Sequence, residues 1–172
     1  MKRLSIVALG ILLASGCSSS NSSPSTTSGP TTTRFTADLK PANESPAITN
    51  SESSGSGSVA IDMTQTKDAA GAVVTSTVNF TANLQGFPSS TVVNIAHIHT
   101  GAAGVNGGIV VNTTINPGEV VLTSGTGTFT RVAITVANDL ASQIIANPAG
   151  FYFNIHTAAN PGGVMRGQLV KQ

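Results

Sequence analysis

The sequence predicts an all-β fold: an antiparallel, Greek-key-like β-sandwich with one short helix. Only 9% of the 172 residues are charged and 4% are aromatic, and Trp is absent. Segments rich in Val, Ile, Thr and Phe alternate with Gly, Pro, Asn and Ser clusters, which is typical of short strands joined by turns. With 40% hydrophobic residues, a chain of this length can bury a single core.

The first 16 residues have the organisation of a secretory leader. A basic start is followed by an apolar run over residues 4–13, and small residues then lead to Cys17. The apolar run is too short to cross a bilayer as a permanent helix. The segment LASGC resembles a bacterial lipobox, although Ala14 stands where Leu is more common. We therefore expect residues 1–16 to be a lipoprotein signal peptide.

Cys17 is the only cysteine, so an intramolecular disulfide is impossible. We expect this thiol to carry lipid and to anchor the chain in a membrane of the bacterial cell envelope, facing the extracytoplasmic side. Ser18 follows the cysteine, which favours the outer membrane where a cell has two. The alternative is a plain signal peptide in which the cysteine is incidental.

Removal of the leader changes the charge balance of the chain. Lys2 and Arg3 belong to the leader, so six of the eight basic residues remain against seven acidic ones. The mature chain then has a slight negative charge and no basic patch, which argues against a nucleic-acid partner.

Residues 17–33 are almost entirely Ser, Thr, Pro, Gly and Asn, and they predict a flexible tether. The folded domain is predicted over residues 34–172. Its candidate strands are residues 34–39, 57–63, 73–84, 91–99, 109–115, 125–135, 151–156 and 164–170.

One segment has the spacing of a helix instead of a strand. Val136, Leu140, Ile144 and Ile145 recur at helical intervals, and Pro148 would end the helix. We expect this apolar stripe to pack against the core.

The histidines lie in two phrases that resemble the signature of a known family. These are AHIHTGAAGVNGGIVV (residues 96–111) and FYFNIHTAANPGGVMRGQL (residues 151–169). The segments at residues 34–46 and 57–62 are similar to the N-terminal strand pair of the same family. Residues 34–172 therefore resemble the CHRD domain, which was first defined in chordin and is widespread in bacterial secreted proteins.

The resemblance implies an immunoglobulin-like or Cu/Zn superoxide-dismutase-like sandwich in an extracellular setting, and it implies no known catalytic activity. Gly108 stands where the family often has Pro. Val164 stands where the family often has an acidic residue, so any chemistry of that carboxylate would be missing here.

The spacing of the histidines suggests a metal site. His97 and His99 are two residues apart, so on a strand both side chains leave the same face. His156 shares the strand phase of Asn154. If the strands carrying the two phrases are neighbours or face each other, the three imidazoles could converge on copper or zinc.

The same residues also suit a purely structural hydrogen-bond network, in which each imidazole donates to a backbone carbonyl and accepts at its other nitrogen. Asn106 and Asn160, each beside Gly or Pro, are typical turn residues. Together with Asn154 they would support the histidines from the surrounding loops.

Arg166 is expected to support the same region. It would bond loop carbonyls, or it would pair with Glu119 or Asp139.

No motif of a catalytic centre is present in the sequence. There is no Gly-x-Ser-x-Gly elbow, and the acidic residues are scattered. We therefore expect a non-catalytic, lipid-anchored binding or structural module with a protein or matrix partner. The alternative is a metal-binding protein that uses His97, His99 and His156 for copper handling or redox chemistry.

Overall fold

The computed structural model describes residues 28–172. The predicted leader, Cys17 and residues 17–27 of the predicted tether lie outside this range. The strands are β1 (Ser28–Leu39), β2 (Ser56–Lys67), β3 (Val73–Gln85), β4 (Thr91–Thr100), β5 (Ile109–Asn112), β6 (Val120–Leu122), β7 (Gly127–Thr135), β8 (Phe151–Thr157), β9 (Met165–Gln168) and β10 (Val170–Lys171). The α-helix α1 is Asn138–Ala146, and 3₁₀ turns occupy Pro41–Asn43, Ser51–Ser54 and Pro148–Gly150.

The strands of residues 28–172 form two five-stranded sheets. The first sheet has the order β10-β1-β2-β3-β7, and the second has the order β5-β4-β8-β9 with β6 also paired to β4. Every strand pair in both sheets is antiparallel. The structure confirms the predicted all-β sandwich.

The hydrophobic core lies between the two sheets. The predicted alternation in β3 is confirmed, because Val78, Phe80, Ala82 and Leu84 are all buried. Phe80 contacts Phe153 of β8 across the core, with the two ring centroids 5.6 Å apart. Burial of these alternate side chains is the main force that holds the sheets together.

Strand β8 is buried on both of its faces, unlike the strands of the first sheet. All of its residues are buried, including the polar Asn154 and His156. One face meets the core, and the other lies beneath loops that fold over the second sheet. This outer face therefore forms a buried polar layer, which positions the candidate site.

The first strand begins earlier than predicted, at Ser28 instead of residue 34. Residues 31–33 pair in register with residues 63–65 of β2, and the hydroxyls of Thr32 and Thr64 are 2.8 Å apart. Threonine is β-branched and suits a strand that has a partner. Residues 28–33 therefore belong to the sheet and not to a tether.

The C-terminal strand predicted over residues 164–170 is divided between the sheets. Strand β9 pairs with β8 in the second sheet, whereas β10 pairs with β1 in the first. The chain changes sheets at Leu169, whose N–H donates to the Phe151 carbonyl and whose side chain is buried. A single strand could not satisfy both pairings.

Three smaller differences follow from local hydrogen bonding and length. The helix begins at Asn138 and not at Val136, because the Val136 N–H donates to the Ser76 carbonyl at the sheet edge. Strand β5 ends at Asn112, before the predicted residue 115. Strand β6 was not predicted, since three residues are too few to show an alternating pattern.

Within residues 28–172, none of the helices has the length and apolar character needed to cross a membrane.

The ring contact between the sheets should dominate the stability of the domain. We predict that Phe153→Ala lowers the free energy of unfolding by about 3–5 kcal/mol, because it empties a fully buried site. Val132→Ala is the control, since Val132 is 67% exposed and should change stability by less than about 0.5 kcal/mol. Urea denaturation followed by circular dichroism measures both, and equal midpoints for the two variants would contradict the prediction.

Candidate metal centre

The three histidines meet on the outer face of the second sheet. His97 and His99 of β4 flank Ile98, which points into the core with 0% exposure. Strand β4 pairs with β8 so that His97 lies opposite Asn154. His156 is two residues from Asn154 on β8 and therefore shares its face. The predicted convergence of the two phrases follows from this pairing.

The three imidazoles form a compact, buried cluster. Each can offer one ring nitrogen such that these nitrogens all lie within 4.8 Å of one another. The ring centroid of His97 is 5.0 Å from that of His99 and 4.7 Å from that of His156. The side chains are almost inaccessible, with residue exposures of 1%, 8% and 7% for His97, His99 and His156.

Backbone carbonyls fix the ring orientation of two histidines. His99 Nδ1 donates to the Gly107 carbonyl, and His156 Nδ1 donates to the Pro161 carbonyl, both at 2.9 Å. A carbonyl oxygen only accepts, so each neutral ring carries its proton on Nδ1 and a lone pair on Nε2. This is the second-sphere arrangement that commonly orients metal-binding histidines.

The remaining ring nitrogens differ in what they contact. His97 Nδ1 lies 3.1 Å from His99 Nε2, and it donates because that Nε2 carries the lone pair. His156 Nε2 is buried and has no hydrogen-bond partner among residues 28–172. The cluster therefore contains a buried lone pair that no described protein group satisfies.

The environment keeps the imidazoles neutral. Burial lowers the pKa of His97 to about 3, and the neighbouring His156 and His99 add to the effect. Burial also lowers the pKa of His99 and that of His156, although the Gly107 and Pro161 carbonyls act in the opposite direction. At neutral pH the three rings therefore hold lone pairs for which no proton competes.

Arg166 joins the loops that cover the polar layer. Its Nε donates to the Asn43 carbonyl at 2.7 Å, and its Nη1 donates to Asn106 Oδ1 at 2.8 Å. The expectation that Arg166 bonds loop carbonyls is correct. The alternative pairings with Glu119 and Asp139 are wrong, because Glu119 instead pairs with Arg131 near the surface.

The Tyr152 ring lies between the Arg166 guanidinium and the His99 imidazole. The Arg166 Cζ atom lies 4.8 Å from the centroid of the Tyr152 ring. The Tyr152 ring in turn stacks on His99, with centroids 4.9 Å apart and planes inclined by 5°. Burial lowers the pKa of His99 most, and the positive charge of Arg166 acts in the same direction.

A buried carboxylate completes this side of the layer. Glu44 Oε2 lies 3.7 Å from Arg166 Nε, and the Glu44 side chain is only 6% exposed. Burial raises the pKa of Glu44 to about 7, although Arg166 acts against the rise. Glu44 Oε1, Asn154 Oδ1 and Arg166 Nη2 are buried without hydrogen-bond partners among the described residues.

A second carboxylate holds the loop beside His156. Glu52 is 4% exposed and accepts hydrogen bonds from the Thr157 hydroxyl at 2.6 Å and from the Asn160 amide. Asn160 Oδ1 also accepts from Asn50 at 2.9 Å. Asn160 thus fixes the loop whose Pro161 carbonyl orients His156.

The structure places all the predicted site residues of the folded domain in one region. Asn154 lies in the layer beside the histidines, whereas Asn106 and Asn160 hold two of the covering loops. Cys17 lies outside the described residues. Sequence reasoning missed Glu44 and Glu52, since both act through partners more than 100 positions away. Their only sequence signal is an acidic residue among Asn and Ser in a segment that resembles the family.

The fold and this layer define a β-sandwich domain with a buried three-histidine cluster. The chain belongs to the CHRD domain family, whose model matches residues 35–169. Comparisons with curated proteins and with solved structures gave no match.

The residues could hold a metal ion, because the hydrogen-bond network of the cluster is incomplete among the described residues. In a closed network each buried polar atom has a partner, because an unsatisfied one costs about 1–3 kcal/mol. His156 Nε2 has none among the described residues, although its ring is held rigidly through Nδ1. Imidazole nitrogens of this kind are common ligands of zinc and copper.

The buried imidazoles should make the metal-free domain sensitive to acid. The pKa values of His97, His99 and His156 in the folded chain are below the usual 6.5. As the pH falls below 6.5, the unfolded chain therefore takes up more protons than the folded chain does. We predict that the free energy of unfolding decreases below pH 6.5, by at most about 1.4 kcal/mol per pH unit for each histidine. Urea denaturation with a chelator at pH 7.5, 6 and 5 measures this decrease.

Glu44 provides the matched control for the acid effect. The pKa of Glu44 is raised from the usual 4.5 to about 7, so between these pH values the folded chain takes up a proton that the unfolded chain does not. This uptake stabilises the folded state as the pH falls, which is opposite to the effect of the histidines. Glu44→Gln should therefore steepen the loss of stability below pH 6.5. A stability that is independent of pH in both proteins would contradict the prediction.

Proposed function

We propose that this CHRD domain binds one transition-metal ion, copper or zinc, through His97, His99 and His156. The observation that carries the proposal is the meeting of three buried imidazoles whose ring nitrogens lie within 4.8 Å of one another. The proposal takes the metal-binding alternative from the sequence analysis in preference to the module with a protein or matrix partner.

Two of the ligand atoms follow from the hydrogen bonds. The Nε2 atoms of His99 and His156 hold lone pairs, because their Nδ1 atoms donate to backbone carbonyls. His97 would supply the third nitrogen. Its Nδ1 donates to His99 Nε2, so coordination of His99 would break that hydrogen bond. His97 would then bind through Nε2, which holds its lone pair, or through Nδ1 after the Nδ1 proton has moved to Nε2.

The rigidity of the layer supports binding over simple structural packing. The loops are fastened by Arg166 on one side and by Glu52 on the other, so the carbonyls of Gly107 and Pro161 are held in place. Ligands that are oriented before binding lose little conformational entropy when the metal enters. The same fastening would keep competing water away from the imidazoles.

Metal titration tests the proposal. We predict that the purified full chain without an affinity tag binds one equivalent of copper or zinc and that its melting temperature rises on binding. His156→Gln should weaken binding by more than about 100-fold, since it removes a ligand and not merely a second-sphere partner. Isothermal titration calorimetry measures the affinity and the stoichiometry.

Tyr152→Phe is the matched control within the same layer. It keeps a ring stacked on His99 and removes only the hydroxyl that accepts from the Gly107 N–H. Its metal affinity should remain within a few-fold of the unmodified chain. A folded chain that binds neither metal would overturn the proposal and would leave the histidines as a structural network in a module with a protein or matrix partner.

We also propose that the domain is displayed on the bacterial cell envelope through lipid on Cys17. The support is the LASGC segment after an apolar run, together with the absence of any other cysteine in the sequence. A Ser/Thr/Pro-rich segment up to β1 would separate the domain from the lipid surface.

Lipid labelling tests the anchor. We predict that cells expressing the chain incorporate labelled palmitate into it and that Cys17→Ser abolishes both the label and its membrane fractionation. Ser18→Ala is the control, because it changes the adjacent residue and retains the thiol. Labelling that persists in Cys17→Ser would exclude this site of acylation.

A further inference from the structure

The proposed ligand set offers no negative charge to an incoming metal ion. Among the described residues, the group that could hold a metal contains three histidines and no Asp, Glu or Cys. An imidazole binds a metal through a nitrogen lone pair and contributes no negative charge. The full charge of a bound ion would therefore remain in a buried layer.

The carboxylates around the layer are already engaged. Glu44 faces Arg166, with 3.7 Å between Oε2 and Nε. Glu52 accepts hydrogen bonds from Thr157 and Asn160 in the adjacent loop. Neither carboxylate belongs to the group of potential ligands.

A positive charge lies beside the histidines, on the same side of the layer as Glu44. The Arg166 guanidinium is separated from His99 only by the Tyr152 ring, at centroid distances of 4.8 Å and 4.9 Å. Repulsion between this cation and a metal ion grows in proportion to the charge of the metal, and burial weakens its screening. A divalent ion therefore meets about twice the opposition of a monovalent ion.

The presence of only three nitrogen ligands in the cluster also favours a monovalent ion over a divalent one. Zinc and Cu(II) complete a set of three protein nitrogens with a further ligand, commonly water, which must reach the metal. The cluster supplies three nitrogens from residues that are at most 8% exposed. Cu(I) is monovalent and has a filled d shell, so it accepts three nitrogens without a further ligand.

Resting on the proposed function, we infer that the three-histidine site is selective for Cu(I) over Cu(II) and Zn(II). The cause is the combination of neutral, buried ligands with the neighbouring guanidinium of Arg166. The domain would therefore hold copper in its reduced state on the oxidising side of the membrane.

Competition titrations of the purified full chain test this selectivity. Cu(I) is titrated anaerobically against a coloured Cu(I) chelator, and Cu(II) and Zn(II) are titrated against chelators suited to them. We expect the dissociation constant for Cu(I) to be at least 100-fold lower than those for Cu(II) and Zn(II). A 100-fold preference over Cu(II) corresponds to a rise of about 120 mV in the potential of the bound copper couple relative to hydrated copper.

The possible outcomes separate this inference from the proposed function. If Cu(II) or Zn(II) binds through the histidines as tightly as Cu(I), the selectivity is wrong and the metal-binding function stands. If no metal binds to the folded chain, both are wrong. Cu(I) binding with the stated preference, lost in His156→Gln, supports both.

Two substitutions at Arg166 test the role of its charge. Arg166→Gln removes the charge and should lower the copper potential, because Cu(II) is then opposed less. Arg166→Lys retains the charge and should keep the potential close to that of the unmodified chain, even if both variants melt at lower temperatures. Equal potentials in the two variants would exclude the electrostatic contribution of Arg166.

Discussion

The antiparallel pairing of β4 with β8 determines the arrangement of every functional group discussed here. It sets His97 opposite Asn154 and His99 opposite Tyr152, so one face of the two strands is polar while the other, with Ile98 and Phe153, closes the core. A shift of one residue in this register would exchange the two faces and bury the imidazoles among Phe and Ile side chains. The hydrophobic core and the three-histidine cluster therefore depend on the same hydrogen-bond ladder.

The loops that cover the polar face must supply hydrogen-bond partners for the polar groups that they bury. Buried polar groups are costly unless they are paired, and their interactions strengthen when water is excluded. Arg166 supplies some of these hydrogen bonds, because it donates to the Asn43 carbonyl and to the Asn106 side chain. Glu52 does the same for the loop beside His156. The loops thus form a second, polar core, which is organised by directional bonds instead of by apolar packing.

Much of the fold could be predicted because the alternating pattern of a strand is visible in a few consecutive residues. The alternation in β3 and the His-x-His spacing in β4 each depend on a few consecutive residues. The structure confirms that alternate side chains of β3 are buried and that His97 and His99 lie on one strand. The change of sheet at Leu169 could not be read in this way, because it depends on β1 and β8, which are far away in sequence. The partner of Arg166 could not be predicted for the same reason: Glu44 is 122 positions away, and its burial depends on loops that only the fold brings together.

The distribution of the site along the chain has a consequence for the order in which the protein is made. His97 and His99 leave the ribosome before His156, and Arg166 and the strand that completes the first sheet come last. Contacts between such distant segments form late in folding, because a long loop must close first. A partly synthesised chain therefore presents two adjacent histidines without the third, and its complete ligand set exists only after nearly the whole domain has emerged.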